Sequence, residues 1–255
     1  YKNWEKAIAI EQEQRGRYGA DADESLWSCP IVRDADGNVV FNADGTPKQM
    51  NLMFNTETQT STYEFRGGDA IYEDVNHDGN INELDIVYLG NCNPKVTGGF
   101  GVKFNYKRWD LNVQFNYRYG SKVLNIAKMN AENMIGTDNQ SYAVNWRWRT
   151  EGDVTTIPRA LYNKGYNFLG SDRFVEDGSF CRLNYIQLRY TFPSEMLKRW
   201  NLTGASVSAN ANNLFLWTRY SGVDPEVGYG GMGLSTDNSK TPRPKSFRFN
   251  INVTF

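Results

Sequence analysis

An excess of charge of either sign is missing from this 255-residue chain, in which 28 basic residues meet 29 acidic ones for a net charge of −1. Without a long-range field nothing gathers nucleic acid or an anionic membrane surface, so no nucleic-acid partner is expected. Histidine is almost absent. His77 alone excludes a multi-histidine zinc site and leaves Ser-His-Asp or Cys-His catalysis with a single candidate. Cys29, Cys92 and Cys181 are an odd set without C-x-x-C spacing, which allows at most one disulfide. Carboxylates are plentiful, but no pair is set apart for glycosidase chemistry, and an enzyme is not expected. No apolar run nears the roughly 18 residues that a membrane-spanning helix needs, so helical membrane insertion is excluded. A charged start followed by an apolar stretch is also missing. The chain begins at Tyr1 without Met, which is expected of a protein whose signal has been removed or of a piece of a longer polypeptide.

What the chain does have is aromatic residues, 15 Tyr, 14 Phe and 7 Trp, set in alternation with polar ones. The last ten residues are the clearest case. Phe247, Phe249, Ile251, Val253 and Phe255 fall on one side, and Arg248, Asn250, Asn252 and Thr254 on the other. That period of two is a strand with one apolar and one wet face, at the length of a strand crossing a bilayer. Similar patterns run from Phe100 to Tyr106, Leu111 to Tyr119, Ile186 to Phe192 and Ser206 to Ala211, the first pair joined by a four-residue turn, Lys107 to Asp110. The connections are by turns short and long, as in outer-membrane barrels with tight periplasmic turns and extended extracellular loops. A soluble Greek-key sandwich needs no such alternation. With a periplasmic C-terminus, the segments around 120–180 and 215–245, and the residues just before Gly98, face outside.

The expected fold class is therefore all-β, a transmembrane antiparallel β-barrel. Residues 1–97 are expected to form a loop-rich extracellular region with some strands, and residues 98–255 the barrel strands with long extracellular loops. Six to eight strands are expected in all, with Phe247, Phe249, Ile251 and Val253 facing lipid. In the first region, residues 4–14 suit a short helix or an uneven strand. Asp36-Gly37 and Asp44-Gly45 mark turns around the strand-like stretch 38–42.

Residues 74–85, D-V-N-H-D-G-N-I-N-E-L-D, place oxygen side chains at loop positions 1, 3, 5, 9 and 12, with Gly79 at the sharp turn and an apolar residue at position 8. This is the pattern of an EF-hand type of calcium loop, in which alternate residues supply hard oxygens to one ion. The expected ligands are Asp74, Asn76, Asp78, the Asn80 carbonyl, Asn82 or a water beside it, and Asp85. Asp85 stands where the pattern has Glu, and its shorter reach weakens bidentate coordination; an Asx-rich turn without an ion would use the same residue types. Gly228, Gly230 and Gly233 satisfy G-x-G-x-x-G, but a turn-bearing stretch precedes them and no helix follows, so dinucleotide binding is not expected. Trp146, Trp148, Tyr162, Tyr166 and Phe168 crowd one long loop and suit either stacking on sugar rings or packing within the loop and girdle.

Several longer motifs occur in order. They are G-D-A-I-Y-E-D-V-N-H-D-G at 68–79, G-N-C-N-P-K-V-T-G-G-F at 90–100, W-R-T-E-G-D-V at 148–154 with I-P-R at 157–159, and D-R-F-V-E-D-G-S-F at 172–180. Then come Q-L-R-Y-T-F-P at 187–193, N-N-L-F at 212–215 with Y-S-G-V-D-P-E at 220–226, and P-R-P at 242–244. From about Phe65 to Phe255 the chain resembles the C-terminal part of the SusC/RagA family of TonB-dependent outer-membrane nutrient transporters. The resemblance implies a barrel of about 22 strands around an N-terminal plug, in the outer membrane of a Gram-negative bacterium. It further implies energy passed through TonB, a SusD-like surface lipoprotein as partner, and a glycan or peptide substrate. Plug, TonB-contacting segment and most strands are not in this chain, so the rest of the same polypeptide is an expected partner. A passive porin-like channel and a soluble calcium-dependent carbohydrate-binding β module are the alternatives.

Overall fold

A computed structural model describes residues 31–52, 63, 65–226 and 235–255. The element expected over 4–14, Cys29 and the glycines at 228–233 lie outside the described residues. In chain order the described elements are β1 (Asn51–Leu52), β2 (Asn80–Ile81), β3 (Val96–Tyr106), β4 (Trp109–Tyr119), β5 (Lys122–Asn125) and helix α1 (Ile126–Glu132). They continue with β6 (Val175–Asp177), β7 (Phe180–Thr191), helix α2 (Ser194–Leu197), β8 (Gly204–Thr218), β9 (Thr236–Asp237) and β10 (Ser246–Thr254). No helix among the described residues is long and apolar enough to cross a membrane, which leaves strands unaddressed.

Five strands make one antiparallel sheet in the order β10-β8-β7-β4-β3. Its register lines up the apolar positions read from the sequence. Phe100 pairs with Phe115, Val102 with Val113 and Phe104 with Leu111; Leu111 in turn faces Leu188, and Val113 faces Ile186. On the far side, Ala209 lies between Leu188 and Phe249, and Val207 between Tyr190 and Ile251. One face of the sheet is thus apolar from edge to edge. Rings meet across it, with Phe100 and Phe115 stacked at 4.8 Å and Trp109 against Tyr190 at 4.7 Å. The opposite face is polar: Arg189 donates to the Ser206 hydroxyl at 3.1 Å, and Asn250 donates to the Asn210 side-chain oxygen at 3.3 Å.

The apolar face is bare. Phe249 and Ile251 are 77% and 74% exposed, and Phe100, Val102 and Phe104 are exposed as well. The largest buried side chains lie elsewhere, among them Phe174, Leu52, Ile81, Val32 and Val123. Among the described residues, five strands occupy the sheet, against six to eight expected of the chain as a whole. Among the described residues before Gly90 the strands are the two-residue β1 and β2, beside isolated bridges such as Arg33 to Val39. In the turn at Asp34, the carboxylate accepts the Asn38 N–H at 2.8 Å and holds the bend without a ladder.

Two compact units divide the chain: the described part of Tyr1–Leu89 with Lys128–Phe174, and Gly90–Ala127 with Val175–Phe255. The expected boundary at 97/98 falls inside the second unit. The central part of the long β4–β7 connection belongs to the first unit, whereas the sequence places it with the barrel half. Smaller sheets complete the fold, β1 with β2 in parallel and β5 between β6 and β9.

The hairpin turn is tighter than expected. Tyr106 pairs directly with Trp109, leaving Lys107 and Arg108 as the turn, with Lys107 in the left-handed region at φ 54°. Strands β7 and β8 run longer than the alternation suggests because a bulge interrupts it. Tyr185 faces Asn212 while Leu183 faces Phe215, so Asn184, Asn213 and Leu214 fall out of register. Beyond the bulge the apolar face of β7 resumes on the opposite parity, with Leu183 and Cys181 facing Phe215 and Trp217 of β8, which keeps its own parity. Asn213 takes φ 53° there, and its side chain donates to the Pro244 carbonyl at 3.0 Å. Asn213→Val, which strains that backbone and removes the hydrogen bond, is expected to lower the thermal stability of the full-length protein in detergent by about 2–3 kcal/mol. Asn213→Gly is expected to cost about 1 kcal/mol, the lost hydrogen bond alone. Equal losses in the two variants would show that the backbone angle does not matter.

Candidate functional site

The loop 74–85 is built from the inside by its own carboxylates. Gly79 turns the chain at φ 87°, which brings its N–H to the Asp74 carboxylate at 2.7 Å. Asp78 N–H donates to both Asp74 and Asn76 side chains, at 3.2 and 3.0 Å, and the Asp78 carboxylate accepts the Asn80 N–H at 2.7 Å. Asn80 and Ile81 then form β2 beside Asn51 and Leu52. At the exit, Asn82 caps the 3-10 turn Glu83–Asp85: its side chain accepts the Leu84 N–H, while Asp85 reaches back to the Asn82 N–H at 2.9 Å. The other Asp85 oxygen accepts the Val75 N–H at 2.8 Å, so Asp85 ties the two ends of the loop together.

All six expected ligand positions therefore belong to one hydrogen-bonded loop, with Asp74, Asn82 and Asp85 buried. Among the described residues, no three His, Cys, Asp or Glu side chains are grouped as metal ligands would be. The donor set is nonetheless hard oxygen, the type calcium takes. Burial raises the Asp74 carboxyl above its ordinary range; the Gly79 N–H opposes this, and the charges of Asp85 and Asp78 add to it. His77 takes φ 61° in this loop.

A second cluster, absent from the sequence reading, centres on Asp69. Its carboxylate is almost wholly buried and accepts from the Tyr63 hydroxyl at 2.6 Å, the Arg66 N–H at 2.8 Å, Arg159 Nε at 2.6 Å and Asn167 Nδ2 at 3.1 Å. Asn167 also accepts the Ala70 N–H at 2.9 Å, and Gly68 accepts the Arg159 N–H at 2.8 Å. Gly68, at φ 82°, has Trp148 against it so closely that a Cβ would sit 2.3 Å from the ring. Glycine is thus required twice, for its angle and for its missing side chain. Burial, then the bond and charge of Asp69, push the Tyr63 hydroxyl far above its ordinary range, so it remains a donor. The signal lay in the motifs at 68–79 and 157–159, which contain both halves of the pair.

The aromatic loop residues divide by role. Trp148 packs on Gly68, Tyr166 lies tilted against Tyr63 with ring centroids 4.0 Å apart, and Phe168 is buried. Trp146 and Tyr162 are exposed, as is Tyr142. In the second unit, Arg182 on β7 is buried with Asp224 at 2.7 Å and Glu226 at 3.2 Å, and Glu226 also meets Arg243 at 2.9 Å. Glu176 accepts from the Ser221 N–H and hydroxyl at 2.8 and 2.7 Å, and Tyr220 donates to Asp237 at 2.7 Å. Apart from Arg182 and Asp237, these residues lie in the motifs at 172–180, 220–226 and 242–244, whose shared work is holding loop bases in place.

No family model matches the chain. It is 30% identical over 194 residues to TonB-dependent receptor P26 of Formosa agariphila, covering 74% of this chain and 20% of that protein. To TonB-dependent receptor SusC of Bacteroides thetaiotaomicron it is 26% identical over 191 residues, covering 72% of this chain and 17% of that protein. The solved RagAB peptide transporter superposes with a TM-score of 0.57 at 26% identity, over 66% of this chain and 18% of that one. The RagAB peptide importer in its closed-closed state gives 0.58 at 21% identity, over 89% and 22%, a likeness of fold. Strand order, bare apolar face and these likenesses are those of a β-rich part of a TonB-dependent receptor. Within that class the chain belongs to the SusC/RagA family. It spans about a fifth of the length of the relatives it matches.

Proposed function

We propose that this chain supplies strands to an outer-membrane barrel of a Gram-negative bacterium that imports oligosaccharides or peptides with energy passed through TonB. The observation that carries the barrel is the five-stranded sheet itself, apolar and bare on one face and polar on the other. A lipid-facing wall with a wet lumen behind it requires that arrangement. The likeness to SusC and to the RagAB peptide transporter supports import over a passive channel, and with it further strands and a plug in the rest of the polypeptide. A SusD-like surface lipoprotein is the proposed partner by the same likeness. A soluble carbohydrate-binding module would have to cover the apolar face, which none of the described residues covers. The role is transport, not catalysis. Uptake in cells lacking TonB tests the reading: nutrient import by the full-length protein is expected to fall to background. Import there at the normal rate would leave a passive channel.

Calcium in the loop 74–85 belongs to the same proposal. Asp74, Asn76, Asp78, Asn80, Asn82 and Asp85 would hold it, and it would supply charge neutralisation to three carboxylates that share one small loop. Support comes from Asp74, whose buried carboxylate is destabilised by its Asp85 and Asp78 neighbours when charged. A carboxyl raised in the folded state stabilises the ion-free loop at acid pH and loses that contribution as pH rises through its shifted range. Calcium needs the deprotonated form, so affinity is expected to fall as pH drops through that range. Calorimetry on the full-length protein is expected to show a calcium signal that Asp78→Ala removes while the barrel stays folded. No signal in the parent protein would reduce the loop to a turn.

A further inference from the structure

The even charge of the whole chain hides a split. The unit that holds the sheet, Gly90–Ala127 with Val175–Phe255, has 15 basic and 7 acidic residues, whereas the rest of the chain has 13 and 22. Within the five strands every charged side chain belongs to the polar face: Lys103, Asp110, Arg118, Arg182, Arg189 and Arg248. Asp110 is the one anion and stands directly opposite Arg189, while Arg182 is neutralised by Asp224 and Glu226. Lys103 and Arg248 are exposed and form no ion pair among the described residues. They are the two ends of a single row, because the register leads from Lys103 to Asn112, Gln187, Asn210 and Arg248 in turn. Four strand spacings of roughly 4.8 Å put the backbones of the two cations about 19 Å apart, with three amides between them.

The end of the sheet that carries the long connections repeats the sign. Lys95 before β3, Lys122 after β4, Arg219 after β8 and Lys245 before β10 are exposed and without an ion pair among the described residues. The carboxylates of those connections are turned inward, Asp224 to Arg182, Glu176 to Ser221 and Asp237 to Tyr220. What faces water there is therefore basic.

We propose that the polar face selects an anionic oligosaccharide, whose carboxylate or sulfate groups meet Lys103 and Arg248 while its hydroxyls meet the amides between. This rests on the barrel reading above, in which the polar face lines the lumen. A passage lined by one sign of charge between low-dielectric walls concentrates the opposite ion, and the cations at the strand ends extend that field to the mouth. Each amide both donates and accepts, as each sugar hydroxyl does. A peptide would ask for apolar pockets or a free strand edge, and neither this row nor the next, Asn105, Asp110, Arg189, Ser208 and Asn250, has an apolar side chain.

Calorimetry on the purified full-length protein in detergent tests the assignment. The probes, of equal length, are a uronic-acid oligosaccharide, its methyl ester, a sulfated oligosaccharide, a neutral glucan and an oligoglutamate peptide. One or both anionic sugars are expected to bind, more weakly as salt rises, with the ester and the neutral glucan about 10-fold weaker or worse. Which anionic sugar binds tells carboxylate from sulfate. Lys103→Gln together with Arg248→Gln is expected to weaken that binding about 10-fold, whereas the same exchange at Lys107 and Arg108, in the turn at the other end of the sheet, leaves it unchanged. Equal binding of the ester, tighter binding of the peptide, or equal weakening by the turn pair would overturn the proposal. So would binding of none of the probes, since Lys103 and Arg248 would then be answered by carboxylates elsewhere in the polypeptide. Binding by the purified protein needs no TonB: uptake without TonB would overturn the importer and leave this binding intact, and TonB-dependent uptake without this binding would do the reverse.

Discussion

Everything in this fold answers to a sheet with one apolar face that none of the described residues covers. Backbone hydrogen bonds satisfy the five strands laterally, but β3 and β10 each have a partner on one side only among the described residues. Open edges and a bare apolar wall are costly together in water, and an isolated sheet of this kind invites association. Closure of the edges by further strands and coverage of the wall by lipid remove both problems at once, as the proposed barrel placement requires. The sequence carries the same logic in its alternation, because a wall with different surroundings on its two sides calls for a period of two.

Long connections face the complementary problem. Beside buried apolar side chains such as Phe65, Tyr72 and Phe174, their bases are held by buried ion pairs and carboxylates that accept several N–H groups. Arg182 with Asp224 and Glu226, Glu176 with Ser221, and Asp69 with Arg159 do this at three places. Such pairs bring modest net stability, since desolvation offsets much of the attraction, yet removing one partner leaves a buried charge. Their effect is geometric specificity: each carboxylate accepts only from the segment that reaches it. The same principle shapes the loop 74–85, where Asp74, Asp78 and Asp85 each bind backbone N–H groups at set positions.

The strand positions were legible because each strand repeats one local rule, and the register then aligned Val102, Val113, Ile186, Ala211 and Phe247 across the sheet. Where that rule slips, legibility ended. At Leu183-Asn184-Tyr185 the parity of β7 reverses, so β7 reads as beginning at Ile186, while β8 keeps its parity but carries Asn212-Asn213 at the bulge and so reads as ending near Ala211. The oxygen spacing of 74–85 was visible because all its partners lie within twelve residues of chain. Asp69 and Arg159 are separated by ninety residues, and nothing local marks one as the partner of the other. Their motifs stood out, but the contact between them did not. The aromatic loop misled for a related reason: composition identifies rings suited to stacking, while Trp148 and Tyr166 spend theirs on Gly68 and Tyr63.

Cysteine scanning of β10 in the full-length protein, expressed in intact cells, tests the central claim most directly. Single cysteines from 247 to 254 would be challenged with a water-soluble maleimide and with a lipid-partitioning one. The account predicts a strict alternation: positions 247, 249, 251 and 253 protected from the soluble reagent and labelled by the lipid-partitioning one, and 248, 250 and 252 the reverse. Soluble labelling of 249 and 251 as fast as of 250 would contradict a lipid-facing wall.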